Sequence, residues 1–365
     1  RETATCIAVS SKLVARSQKP YQMEVTLPET AGRLLDDYSA FRDTPLIIDG
    51  KSLQIMLEGY KDQFFEATKN APSVVCCRCS PTQKAEVVTL VKERSGKQVA
   101  AIGDGGNDVS MILAANIGIG IVGKEGKQAS LASDYSIEQF SHVASLLLWH
   151  GRNSYLNSAN LSQFIIFRGL AISFCQVFYS LAFYASPTVI WTGVYLVGYS
   201  CWNTMCPVFA LCINKDIDQE TSFLYPELYQ DLRKGRALNR KTFLLWLLMA
   251  VYFAFAIIVP SLLIGPYTYV DFTAMTYTAL VFAEMTVIAL LVTRWNTLLV
   301  LSEVFTFASY PLVAIFLPGY YNLVFMSSRW FWIKVLMLTL FCVVPVAGIK
   351  FIVERISPPA HRKLQ

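Results

Sequence analysis

The most informative segment of the chain is Ala100-Ala101-Ile102-Gly103-Asp104-Gly105-Gly106-Asn107-Asp108. Its apolar residues are typical of the end of a strand, and its glycines permit a tight turn that lets the backbone approach an anion. The following helix begins at Asn107, so Asp104 at the strand end and Asp108 about one turn later can converge on a hard divalent cation. The segment therefore predicts a magnesium and phosphate site, although a Gly-Asp-Gly turn alone also occurs in ordinary loops.

Alternating strands and helices surround this turn. Short β-branched or apolar runs predict strands at residues 46–48, 74–77, 98–102 and 117–122, and the segments between them predict helices at residues 52–68, 81–94 and 107–115. This order indicates an α/β, Rossmann-like fold with a doubly wound parallel sheet, in which ligands bind at the carboxyl ends of the strands.

A lysine precedes the turn by one strand-helix unit. Ser80 is the predicted N-cap of a helix whose first residue is Pro81, and Lys84 lies near that helix N-terminus. An ammonium at this position balances the charge of a phosphate, whereas an isolated surface lysine is more often only solvated. The position of Lys84 relative to the Asp turn favours the phosphate role, and Arg78 ends the preceding strand at the same predicted site.

The second half of the chain has a different composition. The 365 residues are 54% hydrophobic and 16% charged, whereas soluble domains are about a quarter charged. The excess of hydrophobic residues lies in six apolar runs of about 20 to 25 residues. As helices, these runs are long enough to cross a hydrocarbon core of about 30 Å. These runs predict six transmembrane helices at about residues 161–184, 189–213, 242–264, 274–293, 297–317 and 331–352. The alternative is a set of buried helices in a large soluble core.

The basic residues follow a membrane topology and do not form a nucleic-acid-binding patch, despite the net charge of +5. They are concentrated in alternate connections: Lys215, Arg233, Lys234, Arg236, Arg240 and Lys241 in one loop, Arg294 in a turn, and Arg355, Arg362 and Lys363 at the end. Because Lys and Arg near span ends prefer the cytoplasm, this pattern predicts that both ends of the chain are cytoplasmic. We expect no nucleic acid partner.

The charges within the spans limit what the membrane part can bind. The first two predicted spans contain no Asp or Glu, which argues against a cation pump, because such a pump needs buried carboxylates. The deepest charge there is Arg168, which costs roughly 2.5 kcal/mol or more at mid-bilayer and so suggests a headgroup phosphate as partner. A snorkelling structural arginine is the alternative. Asn203 and Thr204, close to Pro207, are predicted to lie at a helix break and are further candidates for lipid transport.

These motifs together resemble a known family. Lys84 followed by the turn Gly103 to Asp108 resembles the phosphorylation domain of a P-type ATPase, a member of the haloacid dehalogenase superfamily. Glu2-Thr3-Ala4 resembles the end of the family's hinge segment, and Ile47-Ile48-Asp49-Gly50-Lys51-Ser52-Leu53 resembles its flippase version of the next strand. Cys76-Cys77-Arg78-Cys79-Ser80-Pro81, with the downstream chain, is most similar to phospholipid-transporting ATPases (flippases) of the monomeric IIA or IIB type.

The resemblance implies roles for individual residues. Lys84 would contact the phosphoryl group and Asp104 would bind Mg²⁺. Asn107 and Asp108 would complete the phosphate and metal site, and Arg78 would contact the nucleotide. It further implies ATP and Mg²⁺ as cofactors, an aspartyl-phosphate intermediate, and phospholipid transfer toward the cytoplasmic leaflet. The family also suggests a multi-pass protein of trans-Golgi network or endosomal membranes without an obligatory accessory subunit.

The chain departs from the family pattern in two places. The family's nucleophile lies in an Asp-Lys-Thr-Gly segment, which this chain lacks, and Arg168-Gly169 stands where better-known flippases have Lys-Asn. The sequence Asp216-Ile217-Asp218 matches the superfamily's Asp-x-Asp motif in residue order only. It follows the second predicted span and not a strand of the domain. We therefore expect the chain to be a carboxyl-terminal piece of a longer protein that forms no phosphoenzyme alone.

The predicted organisation has three parts. Residues 1–150 form part of a cytoplasmic phosphorylation domain with a hinge remnant at 1–10, residues 151–356 form the helical bundle, and residues 357–365 form a cytoplasmic tail. Three other functions remain open: a non-catalytic membrane scaffold or regulator, a membrane-tethered phosphatase, which would need a nucleophilic Asp in the domain, and a cation-transporting P-type ATPase.

Overall fold

The structure, a computed structural model, describes residues 2–15, 18–41, 43–123, 126–233, 235, 237–265 and 268–356. The predicted tail at residues 357–365, together with Arg1, Lys234 and Arg236, lies outside the described residues. The chain divides into two compact units whose boundary falls between Val143 and Ala144, a few residues before the predicted boundary at residue 150.

Strands and helices alternate in the first unit. The strands are β1 (Tyr21–Met23), β2 (Leu46–Asp49), β3 (Val74–Cys77), β4 (Ala100–Gly103), β5 (Ile117–Ile121) and β6 (Tyr135–Ile137). The helices are α1 (Glu2–Ser10), α2 (Pro28–Ser39), α3 (Gly50–Gly59), α4 (Lys61–Thr68), α5 (Pro81–Ser95), α6 (Val109–Ala114) and α7 (Gln128–Ala132), with a 3₁₀ turn at Gly106–Asp108. Helix α8 (His142–Ser145) crosses the boundary between the units.

The six strands form two sheets, where the sequence predicted one. Each sheet has three parallel strands, in the orders β1-β2-β3 and β4-β5-β6. Val74 and Cys76 of β3 and Ala100 of β4 line a common cavity of about 740 Å³, with α4 and α5 residues beside it. Since paired strands lie about 4.8 Å apart, a cavity of this size explains why the described residues of β3 and β4 do not pair.

The local signals explain the start of α5. Ser80 Oγ accepts a hydrogen bond from the Gln83 backbone N–H at 3.2 Å, and Gln83 Oε1 accepts one from the Ser80 N–H at 2.9 Å. This capping box confirms the helix start predicted at Pro81. The predicted helix at residues 52–68 is instead two helices, α3 and α4, because Tyr60 leaves the helical conformation at φ −132°.

The second unit is helical. Its helices are α9 (Arg152–Ala182), α10 (Gly193–Val197), α11 (Met205–Leu211), α12 (Gln219–Leu224), α13 (Tyr229–Arg233), α14 (Arg240–Ile264), α15 (Tyr269–Leu291), α16 (Thr297–Phe316), α17 (Leu323–Ser327) and α18 (Arg329–Ile356). Two π-helical segments, Leu146–Gly151 and Gly198–Asn203, and a 3₁₀ turn at Pro226–Leu228 complete the unit.

Among the described residues, five helices are long and apolar enough to cross a membrane: His142–Ala182, Arg240–Ile264, Tyr269–Leu291, Thr297–Phe316 and Arg329–Ile356. Residues 189–213, predicted as the second span, are not among these five helices. That stretch is α10, a π-helical segment and α11, interrupted at Thr204 with φ −125° and ψ −7°. The interruption confirms the helix break predicted at Asn203 and Thr204.

The bounds of the spans differ from the predictions most at their amino ends. The helices begin at Arg152, Tyr269 and Arg329, where the sequence predicted starts at residues 161, 274 and 331. Hydropathy marks only the apolar part of a helix, and polar or charged turns continue it beyond that part. Helix α15 is buried along most of its length, so a side chain on it, such as that of Glu284, lies in the interior of the bundle.

Candidate functional site

Two of the predicted site residues form an ion pair. Lys84 Nζ lies 2.7 Å from Asp108 Oδ1, and the Asp108 residue is 9% exposed. A second contact acts nearby, because Ser110 Oγ donates a hydrogen bond to the Pro81 carbonyl oxygen at 2.9 Å. The two contacts hold the N-terminus of α5 against the turn that follows β4.

A glycine allows this arrangement. A Cβ atom added to Gly103 would lie 2.3 Å from the Cβ of Asp108, far inside van der Waals contact. Only glycine therefore lets the Asp108 side chain fold back onto the end of β4 and meet Lys84. The glycine thus permits the tight turn predicted after the strand, with the Asp108 side chain packed against it.

The other predicted residues of the turn are more open. Asp104 and Asn107 are exposed, and so is Arg78, which follows β3 in the left-handed region at φ 56°. The Arg78 carbonyl oxygen lies 2.4 Å from the position that a Cβ on Gly50 would take, so the turns after β2 and β3 are in close contact. No hydrogen bond or ion pair between described residues joins Arg78 or Asn107 to the Lys84–Asp108 pair.

The donor set of the turn suits magnesium. Asp104 follows β4 directly, and Asp108 has its second carboxylate oxygen outside the Lys84 contact. The described residues contain no cluster of three or more His, Cys, Asp or Glu that could enclose a metal ion. Mg²⁺ commonly takes one or two carboxylates and completes its shell with water and phosphate oxygens, so this sparse donor set fits it.

A cavity of about 490 Å³ in the second unit exposes Arg168. Among its described lining residues Arg168 is the only charged one, and the rest are mostly apolar: Ile165, Gly169, Ile172, Leu196, Tyr199, Ser200, Met205, Val208 and Phe209. The guanidinium carbon lies 4.8 Å from the centroid of the Tyr199 ring, which is a cation–π contact. The Arg168 Nε atom is buried and has no hydrogen-bond partner among the described residues.

Tyr199 connects this cavity to a buried carboxylate. Its hydroxyl donates a hydrogen bond to Glu284 Oε1, across 85 positions of sequence. Sequence reasoning gave no signal for Tyr199. A tyrosine in an apolar run has no distinguishing pattern; only the π-helical segment around it marks the position, since such segments often occur at functional sites.

Asn203 and Thr204 do not line the cavity. Asn203 is 1% exposed and donates a hydrogen bond from Nδ2 to the Tyr277 hydroxyl at 2.8 Å. Thr204 Oγ1 donates to the Tyr199 carbonyl oxygen at 2.7 Å. Asn203 thus joins the π-helical segment to α15, and Thr204 holds the backbone at Tyr199.

The two aspartates of the Asp-x-Asp sequence at residues 216–218 form ion pairs within the second unit. Arg152 binds Asp216 through Nη2 at 2.6 Å and Nε at 3.0 Å, and its Nη1 donates to the Leu228 carbonyl oxygen at 3.0 Å. Asp218 forms an ion pair with Arg294. Both aspartates thus bind arginines of the second unit.

An α/β unit with a paired lysine and aspartate, followed by long apolar helices, defines a polytopic membrane protein with an appended α/β domain. Residues 130–359 match the family described as phospholipid-translocating P-type ATPase, C-terminal. Over all of its length the chain is 44% identical to the probable phospholipid-transporting ATPase IIB of Danio rerio and 42% identical to the phospholipid-transporting ATPase NEO1 of Saccharomyces cerevisiae. It is 40% identical to the probable phospholipid-transporting ATPase tat-5 of Caenorhabditis elegans.

The chain therefore belongs to the family of phospholipid-transporting P-type ATPases, which confirms the resemblance drawn from its motifs. It spans about a third of the length of the curated relatives it matches: 32% of the zebrafish and yeast proteins and 34% of the worm protein.

Proposed function

We propose that this chain is the carboxyl-terminal part of an ATP-driven phospholipid translocase. The first unit is part of a haloacid-dehalogenase-like phosphorylation domain, and the helical unit carries the lipid. The full-length protein couples ATP hydrolysis, through an aspartyl-phosphate, to lipid transfer toward the cytoplasmic leaflet. The single observation that carries this proposal is the Lys84–Asp108 pair at the turn after β4, in a chain whose relatives are named phospholipid-transporting ATPases.

The residues of the turn divide the work of phosphoryl transfer. Lys84 places a positive charge where the phosphoryl group would lie, and a preorganised charge of this kind stabilises the charge that develops in the transition state. Asp104 and Asp108 would hold Mg²⁺, which when bound neutralises phosphate charge. Asn107 and Arg78 are exposed at the ends of β4 and β3, where they can contact phosphate and nucleotide.

The nucleophilic aspartate comes from outside this chain in our proposal. The unpaired edges of β3 and β4 lie beside the 740 Å³ cavity, and an additional parallel strand there would satisfy both edges. The carboxyl end of such a strand would then lie between Arg78 and Asp104, close to Lys84. We propose that the strand before the nucleophile takes this place.

Labelled ATP tests this assignment. The full-length protein should form an acid-stable, hydroxylamine-sensitive phosphoenzyme, and the 365-residue chain alone should form none. Co-expressing the remaining part of the protein with this chain should restore the phosphoenzyme. A covalent acyl-phosphate on the isolated chain would contradict the proposal.

The cavity beside Arg168 is the proposed contact with the lipid headgroup. An arginine binds a phosphate through two parallel hydrogen bonds, and a half-buried guanidinium with an unpaired Nε is suited to this task. In the full-length protein, Arg168→Ala should abolish the lipid-stimulated part of ATP hydrolysis. If that stimulation is unchanged in Arg168→Ala, the headgroup role is wrong.

The orientation and location of the protein also belong to the proposal. We propose that both ends of the chain are cytoplasmic, on the distribution of basic loops, and that the protein resides in trans-Golgi network or endosomal membranes without an obligatory accessory subunit. Protease protection of a carboxyl-terminal tag in sealed vesicles tests the orientation, because a cytoplasmic tag is cleaved from outside.

A second function is favoured by one observation. The 365 residues contain no Asp-Lys-Thr-Gly segment, so a protein of this length would be a non-catalytic membrane scaffold or regulator. An immunoblot of source membranes against residues 357–365 separates the two. A band far heavier than this chain supports the translocase, and a dominant band at the mass of this chain supports the scaffold.

A further inference from the structure

The cavity beside Arg168 contains a charge imbalance. Its described lining residues include one cation and no anion, and the Arg168 Nε atom has no hydrogen-bond partner among them. Placing an uncompensated charge in an apolar interior costs free energy, so a membrane arginine normally has a counter-charge nearby. A carboxylate outside the cavity lining can also supply a counter-charge.

Glu284 is the carboxylate that the structure places there. Tyr199 contacts both residues: the centre of its ring lies 4.8 Å from the Arg168 guanidinium carbon, and its hydroxyl donates to Glu284 Oε1. One aromatic side chain thus connects cation and anion while keeping them from direct contact.

Glu284 cannot itself touch a ligand in the cavity. It is 0% exposed on helix α15 and is not among the lining residues, and its Oε2 atom has no hydrogen-bond partner among the described residues. Burying a carboxylate that leaves one oxygen without a hydrogen bond costs free energy. Such a group is expected to act through its charge, which a neutral residue of the same shape would not supply.

We propose that Glu284, acting through Tyr199, is the resident counterion of Arg168 and that it limits how tightly the cavity holds the phosphate of a lipid headgroup. This inference rests on the proposed function. A bound phosphodiester brings a second negative charge to the guanidinium, and Glu284 repels it. The carboxylate therefore stabilises the empty cavity and favours release of the lipid.

The test is a titration of ATP hydrolysis by the purified full-length protein in detergent micelles, with phosphatidylethanolamine or phosphatidylserine as the added lipid. Glu284→Gln should lower the half-saturating lipid concentration roughly tenfold, as expected if the bound phosphate and the carboxylate lie about 12 Å apart at an effective dielectric constant of about 20. Its maximal rate should fall, because release becomes slower. A residue needed only for packing would instead raise the half-saturating concentration or reduce the amount of folded protein.

Two further variants separate charge from packing. Glu284→Asp keeps the charge and should stay within about twofold of the unmodified protein. Tyr199→Phe keeps the ring beneath the guanidinium but removes the hydroxyl that holds Glu284. The carboxylate then acts from a greater average distance, and the half-saturating concentration should fall by less than in Glu284→Gln. Tyr199→Phe also keeps the inference testable if Glu284→Gln does not fold.

Glu303→Gln is the matched control. Glu303 is another buried membrane carboxylate, 8% exposed on α16 with an unpartnered Oε1, and it does not line the cavity. Its substitution makes the same chemical change and should leave the half-saturating concentration within about twofold. Phosphoenzyme formation from labelled ATP reports that each variant is folded.

The outcomes are distinguishable. An unchanged or higher half-saturating concentration in Glu284→Gln, with normal phosphoenzyme formation, overturns the counterion role and leaves the proposed function intact. Persistent lipid stimulation in Arg168→Ala overturns the headgroup site and the counterion role together. Soluble glycerophosphoethanolamine serves as a further arm: the inference expects it to compete only weakly, and equal competition would indicate a site for free phosphodiesters.

Discussion

In our proposal, the turn after β4 and the cavity beside α9 both use a cation to bind phosphate, but the two cations have different partners. Lys84 contacts the carboxylate of Asp108 directly at 2.7 Å, in a half-exposed setting. Arg168 instead contacts the ring of Tyr199, whose hydroxyl donates to Glu284, inside an apolar bundle. A direct pair fixes a catalytic charge in one position, whereas a separated pair leaves the guanidinium free to exchange its partner for a ligand. In our proposal, the direct pair belongs to the site of phosphoryl transfer and the indirect one to the site that releases the lipid.

Arg152 shows that the bundle can pair an arginine directly. It lies on the same helix as Arg168, is 6% exposed, and uses Nε, Nη1 and Nη2 on Asp216 and the Leu228 carbonyl. The unpaired Nε of Arg168 is therefore a local property of the cavity and not a general feature of α9.

The largest expected effect comes from breaking the Lys84–Asp108 ion pair of the first unit. Lys84→Met in the full-length protein should slow phosphoenzyme formation on the order of 10²-fold, the cost of removing one preorganised charge from a transition state. Rapid-quench measurement with labelled ATP gives the rate. Lys92→Met on the same helix is the control, since among the described residues the Lys92 ammonium hydrogen-bonds only to the Ala114 carbonyl oxygen. Equal rates for the two variants would remove Lys84 from the site.

The second largest expected effect concerns Arg152, the arginine that is paired with Asp216. Arg152→Ala leaves Asp216 buried without its partner and should destabilise the protein by about 3 kcal/mol. Thermal unfolding in detergent, followed by Trp fluorescence, measures the loss. The matched variant is Arg294→Ala, whose ion pair with Asp218 is exposed, and we expect little change in the melting temperature. A similar loss in both variants would contradict the distinction between buried and exposed pairs.

A smaller effect concerns the N-terminus of the helix that carries Lys84. Gln83 accepts from the Ser80 N–H, and its Nε2 donates to the Gly50 carbonyl at 2.8 Å, so it joins α5 to the end of β2. Gln83→Ala should destabilise the protein by about 1 to 2 kcal/mol, the range for losing a cap and a buried hydrogen bond. Chemical denaturation of the full-length protein measures this, and an unchanged midpoint would show that the cap is dispensable.

The smallest expected effect is a change in the reactivity of the Cys79 thiol, which lies just before α5. The hydrogen bond from Cys76 lowers the pKa of the Cys79 thiol to about 7, and the charge of Lys84 acts in the same direction. The thiolate is present above about pH 7 and is lost as the pH falls through that value. Cys76→Ala should return the pKa toward its ordinary value and slow alkylation of Cys79 at pH 7 by about fivefold, after allowing for the greater nucleophilicity of the more basic thiolate.

Mass spectrometry of iodoacetamide-treated protein at several pH values follows Cys79 individually. A rate at pH 7 that Cys76→Ala leaves unchanged would show that the hydrogen bond does not set the reactivity of Cys79.

Local signals were sufficient for the phosphate turn. The start of α5 follows from Ser80 and Pro81, and the turn after β4 follows from the Gly-Asp-Gly sequence. Both signals are local, because capping and glycine geometry act over a few residues. The division into two sheets was not predictable, since each strand has the same local pattern whichever neighbour it pairs with. β1 and β6 were missed because three-residue strands carry too little alternation to detect.

The membrane site was predictable only in part. Arg168 stood out as a charge in an apolar run, and the break at Thr204 followed from polar residues beside Pro207. The pairing of Tyr199 with Glu284 depends on how α15 packs against the π-helical segment, and no periodic signal connects two residues 85 positions apart. The loop pair of Arg152 and Asp216 was hidden for the same reason.

The most direct test of the account is lipid transport by the full-length protein in proteoliposomes. A short-chain fluorescent phospholipid is incorporated, and its movement to the ATP-facing leaflet is followed by quenching with dithionite. We predict ATP-dependent transport by the unmodified protein and at least a tenfold slower rate in Arg168→Ala, with phosphoenzyme formation retained. Transport at the same rate in both proteins would contradict the claim that Arg168 carries the lipid headgroup.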